Sequence, residues 1–351
     1  MKNLLISGSS DIGKNLAKSI LKRKNDVVLT YRRKKVKNLD CKQIKLDISL
    51  RKNIDKFSKN KLIKNWTNLV LLPASQKPIG LFEEVDENDW IKSLELNFTN
   101  QIYLIKKLLK CRSKHYKNKN IILWSGPGSN SAPKYYSAYT ISKIALTKMT
   151  ELLDKELSDV KVSIIGPGWV KTKIHKETLN SKKLARENYQ NTLKRFKNNN
   201  FSSTMDDVVN CFNKVISLDK KAAGGRNFSV QFDKWGNKKI KKILLADENI
   251  YKLRRDFNDF NFSEINAKVI KILNFLLQNK NFFKKKSLIY KSFCKILIIK
   301  CMFDLNLNDR EFCALLVNKT ISGYLNNRRK RSIIFKKISK NNNFKDLEKI
   351  L

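Results

Sequence analysis

Asn3-Leu4-Leu5-Ile6-Ser7-Gly8-Ser9-Ser10-Asp11-Ile12-Gly13-Lys14-Asn15-Leu16-Ala17, residues 3–17, is the segment on which the fold turns. Its apolar start reads as a buried strand. A loop of small residues comes next, and Ile12, Leu16, Ile20 and Leu21 then recur at helical spacing. A strand that passes through a tight turn into a helix lets backbone N–H groups close on a pyrophosphate, whose charge the helix N-terminus favours. An ordinary strand-to-helix turn looks the same locally, so the rest of the chain has to separate the two.

Further strand patterns occur at Asp26–Thr30, Gln43–Leu46, Leu69–Leu72, Asn120–Trp124, Lys161–Ile165 and Asn227–Val230. Helical patterns at Trp90–Leu109, Tyr139–Leu157 and Ser203–Leu218 fall between them. Such alternation predicts an α/β fold: a Rossmann-type doubly wound parallel sheet with right-handed crossovers and helices on both faces. Ligands of these sheets gather beyond the C-terminal strand ends. Residues 175–205 form a polar, helical-looking insertion, a candidate substrate lid. Beyond Arg255 the pattern changes to three amphipathic helices, near Glu264–Leu277, Ser287–Phe303 and Asp309–Val317. The expected division is a dinucleotide-binding catalytic domain over 1–255 and a basic, all-α extension over 256–351.

With 351 residues and 41% hydrophobic content, the chain can bury a large core and is not generally disordered. The opening apolar run is cut by Ser7, Gly8 and Asp11, so it is expected to be a strand and not a signal peptide. No run reaches the roughly 18 apolar residues of a membrane span, and a cytoplasmic location is the expectation. The 6 cysteines include no CxxC pair, and with 2 histidines no metal site is legible. The net charge of +43 is spread along the chain, Lys outnumbers Arg, and Asn is abundant. Coding by an AT-rich genome explains that pattern better than a localised nucleic-acid stripe, so nucleic acid is not an expected partner. A C-terminal nucleic-acid-binding module that includes Arg328-Arg329-Lys330-Arg331 is the competing reading.

The second strand ends at Tyr31-Arg32-Arg33. An acidic residue there would bind the ribose hydroxyls of NAD, whereas Arg accommodates the 2′-phosphate of NADP. The pair leans toward NADP, with NAD and a plain basic loop as alternatives. Asp47, after the third strand, is either a contact for the adenine edge or a loop cap. In Tyr139-Thr140-Ile141-Ser142-Lys143 the spacing of four puts phenol and ammonium on one helix face. An unperturbed tyrosine, with a pKa of about 10, is a poor acid–base catalyst at neutral pH. A nearby lysine charge is expected to lower it and make proton exchange with a substrate hydroxyl or carbonyl feasible.

In order along the chain, the loop Gly8 to Gly13, Asp47, Ala74, Asn97, Ser125, Tyr139 with Lys143, and Pro167-Gly168-Trp169-Val170-Lys171-Thr172 resemble the short-chain dehydrogenase/reductase family in its single-domain form. The resemblance implies an NAD(P)-dependent interconversion of a carbonyl and a secondary alcohol on a small molecule, by a protein that self-associates. It implies that Tyr139 is the general acid/base and that Lys143 binds the nicotinamide ribose and tunes the tyrosine. Ser125 would polarise the substrate carbonyl, with Ser129 or Ser131 as substitutes, and Asn97 would hold a relay water. Ser7, Gly8, Ser10, Asp11, Ile12, Gly13 and Ala74 would contact the cofactor, and Pro167, Gly168, Val170 and Thr172 would border the nicotinamide.

Several positions depart from the family pattern. In the TGxxxGxG loop, Ser7 stands at the first glycine if Asp11 and Gly13 take the second and third; otherwise the loop is one residue shorter. Leu72-Pro73-Ala74-Ser75 replaces Asn-Asn-Ala-Gly, and Ser125 precedes Tyr139 by one residue more than usual. These departures motivate a second expectation, a catalytically silent cofactor-binding scaffold or sensor. Pro78-Ile79-Gly80-Leu81-Phe82, residues 130–149, and Trp235 with Tyr251-Lys252-Leu253-Arg254-Arg255 resemble reductases of bacterial surface-polysaccharide biosynthesis. That finer resemblance implies a sugar or nucleotide-sugar substrate.

Overall fold

Runs of Leu, Ile and Val too short for helices and apolar on both sides make strands that must be covered twice. The computed structural model describes residues 1–128 and 131–254, and in them these runs become seven strands: β1 (Lys2–Ile6), β2 (Asp26–Tyr31), β3 (Lys42–Lys45), β4 (Asn68–Leu71), β5 (Lys119–Trp124), β6 (Val160–Gly166) and β7 (Asn227–Ser229). They form one sheet in the order β3-β2-β1-β4-β5-β6-β7, and every pair is parallel. The expected doubly wound sheet is therefore present. Its crossover direction reverses between β1 and β4, which opens a crevice at their C-terminal ends. The expected C-terminal helices and Arg328–Arg331 lie outside the described residues, as does Ser129.

Helices α1 (Asp11–Lys22), α2 (Arg51–Ser58), α3 (Glu87–Leu94), α4 (Asn100–Leu108) and α5 (Ser137–Glu156) connect the first six strands. After β6 come α6 (Lys176–Leu179), α7 (Lys182–Ala185), α8 (Glu187–Lys197), α9 (Met205–Ser217), α10 (Lys220–Ala223) and α11 (Ile240–Ala246). Alternation along the strands sorts the core into two layers. Leu5, Leu29, Val70, Ile122 and Ile165 pack with residues of α1 and α9. Leu4, Val28, Leu69, Ile121 and Ile164 pack on the other face with residues of α2, α4 and α5.

One expected element is divided. The helix read over Trp90–Leu109 is α3, a π-helical turn at Glu95–Thr99, and α4. The extra residue of a π turn rotates the helix beyond it, which apolar periodicity does not reveal. At the opposite end of the sheet from the crevice, three buried asparagines bridge three strands. Asn68 Nδ2 donates to Asn3 Oδ1 and Asn120 Nδ2 to Asn68 Oδ1, both at 2.7 Å.

Candidate active site

The loop from β1 to α1 is held by its own small residues. Ser10 caps α1 by accepting from Gly13 N–H at 3.1 Å. A Cβ on Gly13 would lie 2.6 Å from the carbonyl oxygen of Gly8, so the helix approaches this closely only because that position is glycine. Ser7 has φ +56°, the left-handed region that favours glycine, and its N–H donates to Thr30 Oγ1 at 2.8 Å. That geometry fits the register in which Ser7 stands at the family's first glycine.

The loop opens into a cleft of about 1900 Å³ at the C-terminal ends of the strands. Ser7, Ser10, Asp11, Ile12, Arg32, Arg33, Asp47 and Ala74 line it at one end, and Ser125, Tyr139, Lys143, Pro167, Gly168, Val170 and Thr172 at the other. Gly8, Gly13 and Asn97 are not on its wall. Asp47 Oδ1 accepts from Ser49 N–H at 3.0 Å and from Ser49 Oγ at 2.7 Å, so Asp47 caps its loop while facing the cleft. Asn97, fully buried in the π turn, closes its side chain on the backbone of Ser75: Nδ2 donates to the carbonyl and Oδ1 accepts from the N–H, both at 2.9 Å. Gln101 Nε2 donates to the Asn97 carbonyl at 2.8 Å. Asn97 thus fixes the β4 loop.

Tyr139 and Lys143 share the buried face of α5, at 7% and 2% exposure. Lys143 Nζ donates to the Trp124 carbonyl at 3.0 Å and sits 5.6 Å from the centre of the Tyr139 ring. Burial pulls the Lys143 pKa down to about 8. The expectation that lysine lowers the phenol's pKa is corrected here: Tyr139 is raised, first by loss of solvent and then by the charge of Glu177. At neutral pH the phenol holds its proton.

Ser125 Oγ donates to Asn227 Oδ1 on β7 at 3.1 Å. The residue whose side-chain direction meets the phenol is Gly126, where a Cβ would lie 3.1 Å from Tyr139 Oη and 2.9 Å from Lys143 Cγ. Ser125 lines the same cleft as Tyr139, and its hydroxyl is engaged by Asn227. Ser131 lines the same cleft.

Sequence reasoning passed over the insertion's contacts. Glu177, on α6, accepts from Gln76 N–H at 2.6 Å and from Ser75 Oγ at 3.1 Å. Thr178 Oγ1 donates to Gln76 Oε1 at 3.0 Å and lies 2.9 Å from Tyr136 Oη. His175 stacks on Trp169 at 4.5 Å, and Arg195 lies over the same indole. Residues of the insertion, among them Glu177, Asn188 and Asn191, line the cleft. Among the described residues no group of His, Cys, Asp and Glu could hold a metal, and no helix is long and apolar enough to cross a membrane.

A dinucleotide fits these residues. Asp11 and Ile12, in the first turn of α1, line the cleft, where a helix N-terminus favours a diphosphate. Arg32 and Arg33 line the cleft beside the β1–α1 loop, and Pro167, Gly168, Val170 and Thr172 line it together with Tyr139 and Lys143.

The sequence model of the family described as short chain dehydrogenase matches residues 2–183. No curated protein matches the chain. Similar solved structures include a short chain dehydrogenase family protein from Francisella tularensis subsp. tularensis SCHU S4, 21% identical, with 65% of this chain and 96% of that one covered at a TM-score of 0.56. A short chain dehydrogenase from Shigella flexneri 2a, complexed with NADP, is 16% identical over 66% of this chain and 96% of its own, TM-score 0.55. The ligand-free aldohexose dehydrogenase of Thermoplasma acidophilum is 13% identical over 65% and 91%, also at 0.55.

Proposed function

The chain belongs to the short-chain dehydrogenase family, and from that premise we propose that it interconverts a carbonyl and a secondary alcohol on a small molecule, with NADP preferred over NAD. That it is an NAD(P)-dependent oxidoreductase follows from the family itself. The observation that carries the reading is the pairing of Tyr139 and Lys143 on the buried face of α5, in the same cleft as the β1–α1 loop.

When bound, the nicotinamide supplies or accepts the hydride. The chain's own work is proton transfer and placement. Tyr139 Oη, protonated at neutral pH, donates to the oxygen that becomes an alcohol and is left as phenolate; in the reverse direction the phenolate takes the alcohol proton. Lys143 anchors the phenol's surroundings through its bond to the Trp124 carbonyl. The aromatic stack of Trp169 and His175 and the bonds of Glu177 to the loop after β4 hold the segment that lines this side of the cleft. Arg32 and Arg33, exposed beside the adenosine end, support the preference for a 2′-phosphate.

Replacing Tyr139 with Phe is expected to lower turnover by about 10²–10⁴-fold, the usual worth of a positioned acid–base group, while NADPH still binds. Near-normal turnover would reject the assignment. For the substrate, Gln76, Glu177, Asn180, Asn188, Asn191 and Gln231 place polar side chains along the cleft wall, which supports a polyhydroxylated molecule such as a sugar or nucleotide-sugar. A second reading, a cofactor-binding scaffold without turnover, draws on the engagement of Ser125 with Asn227. Tight NADPH binding with no reduction of any compound in a carbonyl panel would favour it. Self-association belongs to the main reading and is supported by Ile141 and Leu152, exposed along α5. Light scattering on the eluted protein tests it.

A further inference from the structure

Asp11 stands at the first position of α1, where backbone N–H groups and the helix dipole favour an anion. A carboxylate there ordinarily serves its own helix. This one reaches elsewhere: Asp11 Oδ2 accepts from the N–H of Lys173 at 2.7 Å, and Lys173 Nζ returns to the carbonyl of Ser9 at 3.4 Å. Ser9, Asp11 and Lys173 all face the cleft. A few residues on, Glu177 grips Ser75 and Gln76, and Thr178 meets Tyr136. The segment Lys173–Thr178 is thus fastened at one end to the phosphate loop and at the other beside the loop after β4.

We propose that Asp11 is a positioning residue that couples dinucleotide binding to the seating of the segment Lys173–Thr178 across the cleft. The proposal rests on the dinucleotide reading given above. The Asp11 carboxylate occupies ground that a diphosphate also seeks, so its charge opposes the cofactor while its hydrogen bond holds the strap. Affinity for the dinucleotide is weakened in exchange for a strap already registered over the nicotinamide end. The two roles separate by substitution, because Asn keeps an acceptor oxygen and loses the charge, whereas Ala loses both.

The test is calorimetric titration of wild type, Asp11→Asn and Asp11→Ala with NADPH, together with trypsin digestion of the cofactor-free proteins, scored at Lys171, Lys173 and Lys176. Asp11→Asn is expected to bind NADPH about five- to tenfold more tightly, an effect that shrinks at high salt, with strap cleavage at the wild-type rate. Asp11→Ala is expected to bind more tightly too, but to be cleaved in the strap several-fold faster. Unchanged NADPH affinity in Asp11→Asn, or wild-type cleavage in Asp11→Ala, overturns the coupling alone. Failure of the wild type to bind either NADPH or NADH overturns the functional reading and the coupling with it.

Discussion

Gly126 occupies the point from which a side chain would touch the phenol, while the serine before it turns to Asn227. Removing the Ser125 hydroxyl is therefore expected to be mild: Ser125→Ala should keep turnover within about tenfold of wild type, since no contact to the phenol is lost. A loss as deep as that of Tyr139→Phe would contradict this geometry. The sequence held the clue in its spacing, because the place one residue nearer to Tyr139 is Gly126. The engagement of Ser125 by Asn227, far along the chain, was not legible from that spacing. The direction of the Tyr139 pKa was not legible either, because Glu177 is distant in sequence and burial cannot be counted from it. Removing that charge in Glu177→Gln should lower the phenol's pKa, so the acidic limb of the oxidation pH–rate profile should move to lower pH. An unmoved or raised limb would show that Glu177 does not act on the phenol.

Lys143 gives a linked prediction for stability. Its folded pKa of about 8 lies below the ordinary 10.5, so the folded protein gives up this proton first. Across that window the unfolded chain binds more protons, and the contribution of Lys143 to stability rises with pH. The melting temperature of wild type relative to Lys143→Met should therefore shift in favour of wild type as pH goes from about 8 to about 10. A gap independent of pH would contradict the burial of this amine.

The strands were legible almost to the residue, because a doubly covered strand leaves a dense apolar run between polar turns. Elements set by distant partners were not. The π turn at Glu95–Thr99 places Asn97 against Ser75, and nothing in the local pattern announces it. Asn3, Asn68 and Asn120 are likewise buried and bonded side to side across three strands, a pairing no local pattern announces. Cutting the middle rung with Asn68→Ala leaves Asn3 Oδ1 and Asn120 Nδ2 without their partner and is expected to cost about 2 kcal/mol in urea unfolding. A cost near zero would mean that water replaces the rung.

Over the whole molecule, residues 1–254 hold all seven described strands and every cleft residue named above. The proposed division at residue 255 therefore predicts that a chain ending there keeps NADPH binding and turnover. Loss of both in a soluble truncated protein would make residues 256–351 part of the enzyme. The same truncation tests the competing nucleic-acid reading, since a salt-sensitive shift confined to the full chain would restore it.

The rim of the cleft carries a kinetic consequence. Lys14, Lys18, Arg32, Arg33, Lys34 and Lys35 face its adenosine end in a chain of net charge +43. Such a funnel hastens collision with any polyanion, so ATP or free inorganic phosphate should arrive as readily as the true cofactor and compete for the doorway. Discrimination then falls to how slowly each guest leaves, a property of the tight glycine turn and the nicotinamide end rather than of the lysines.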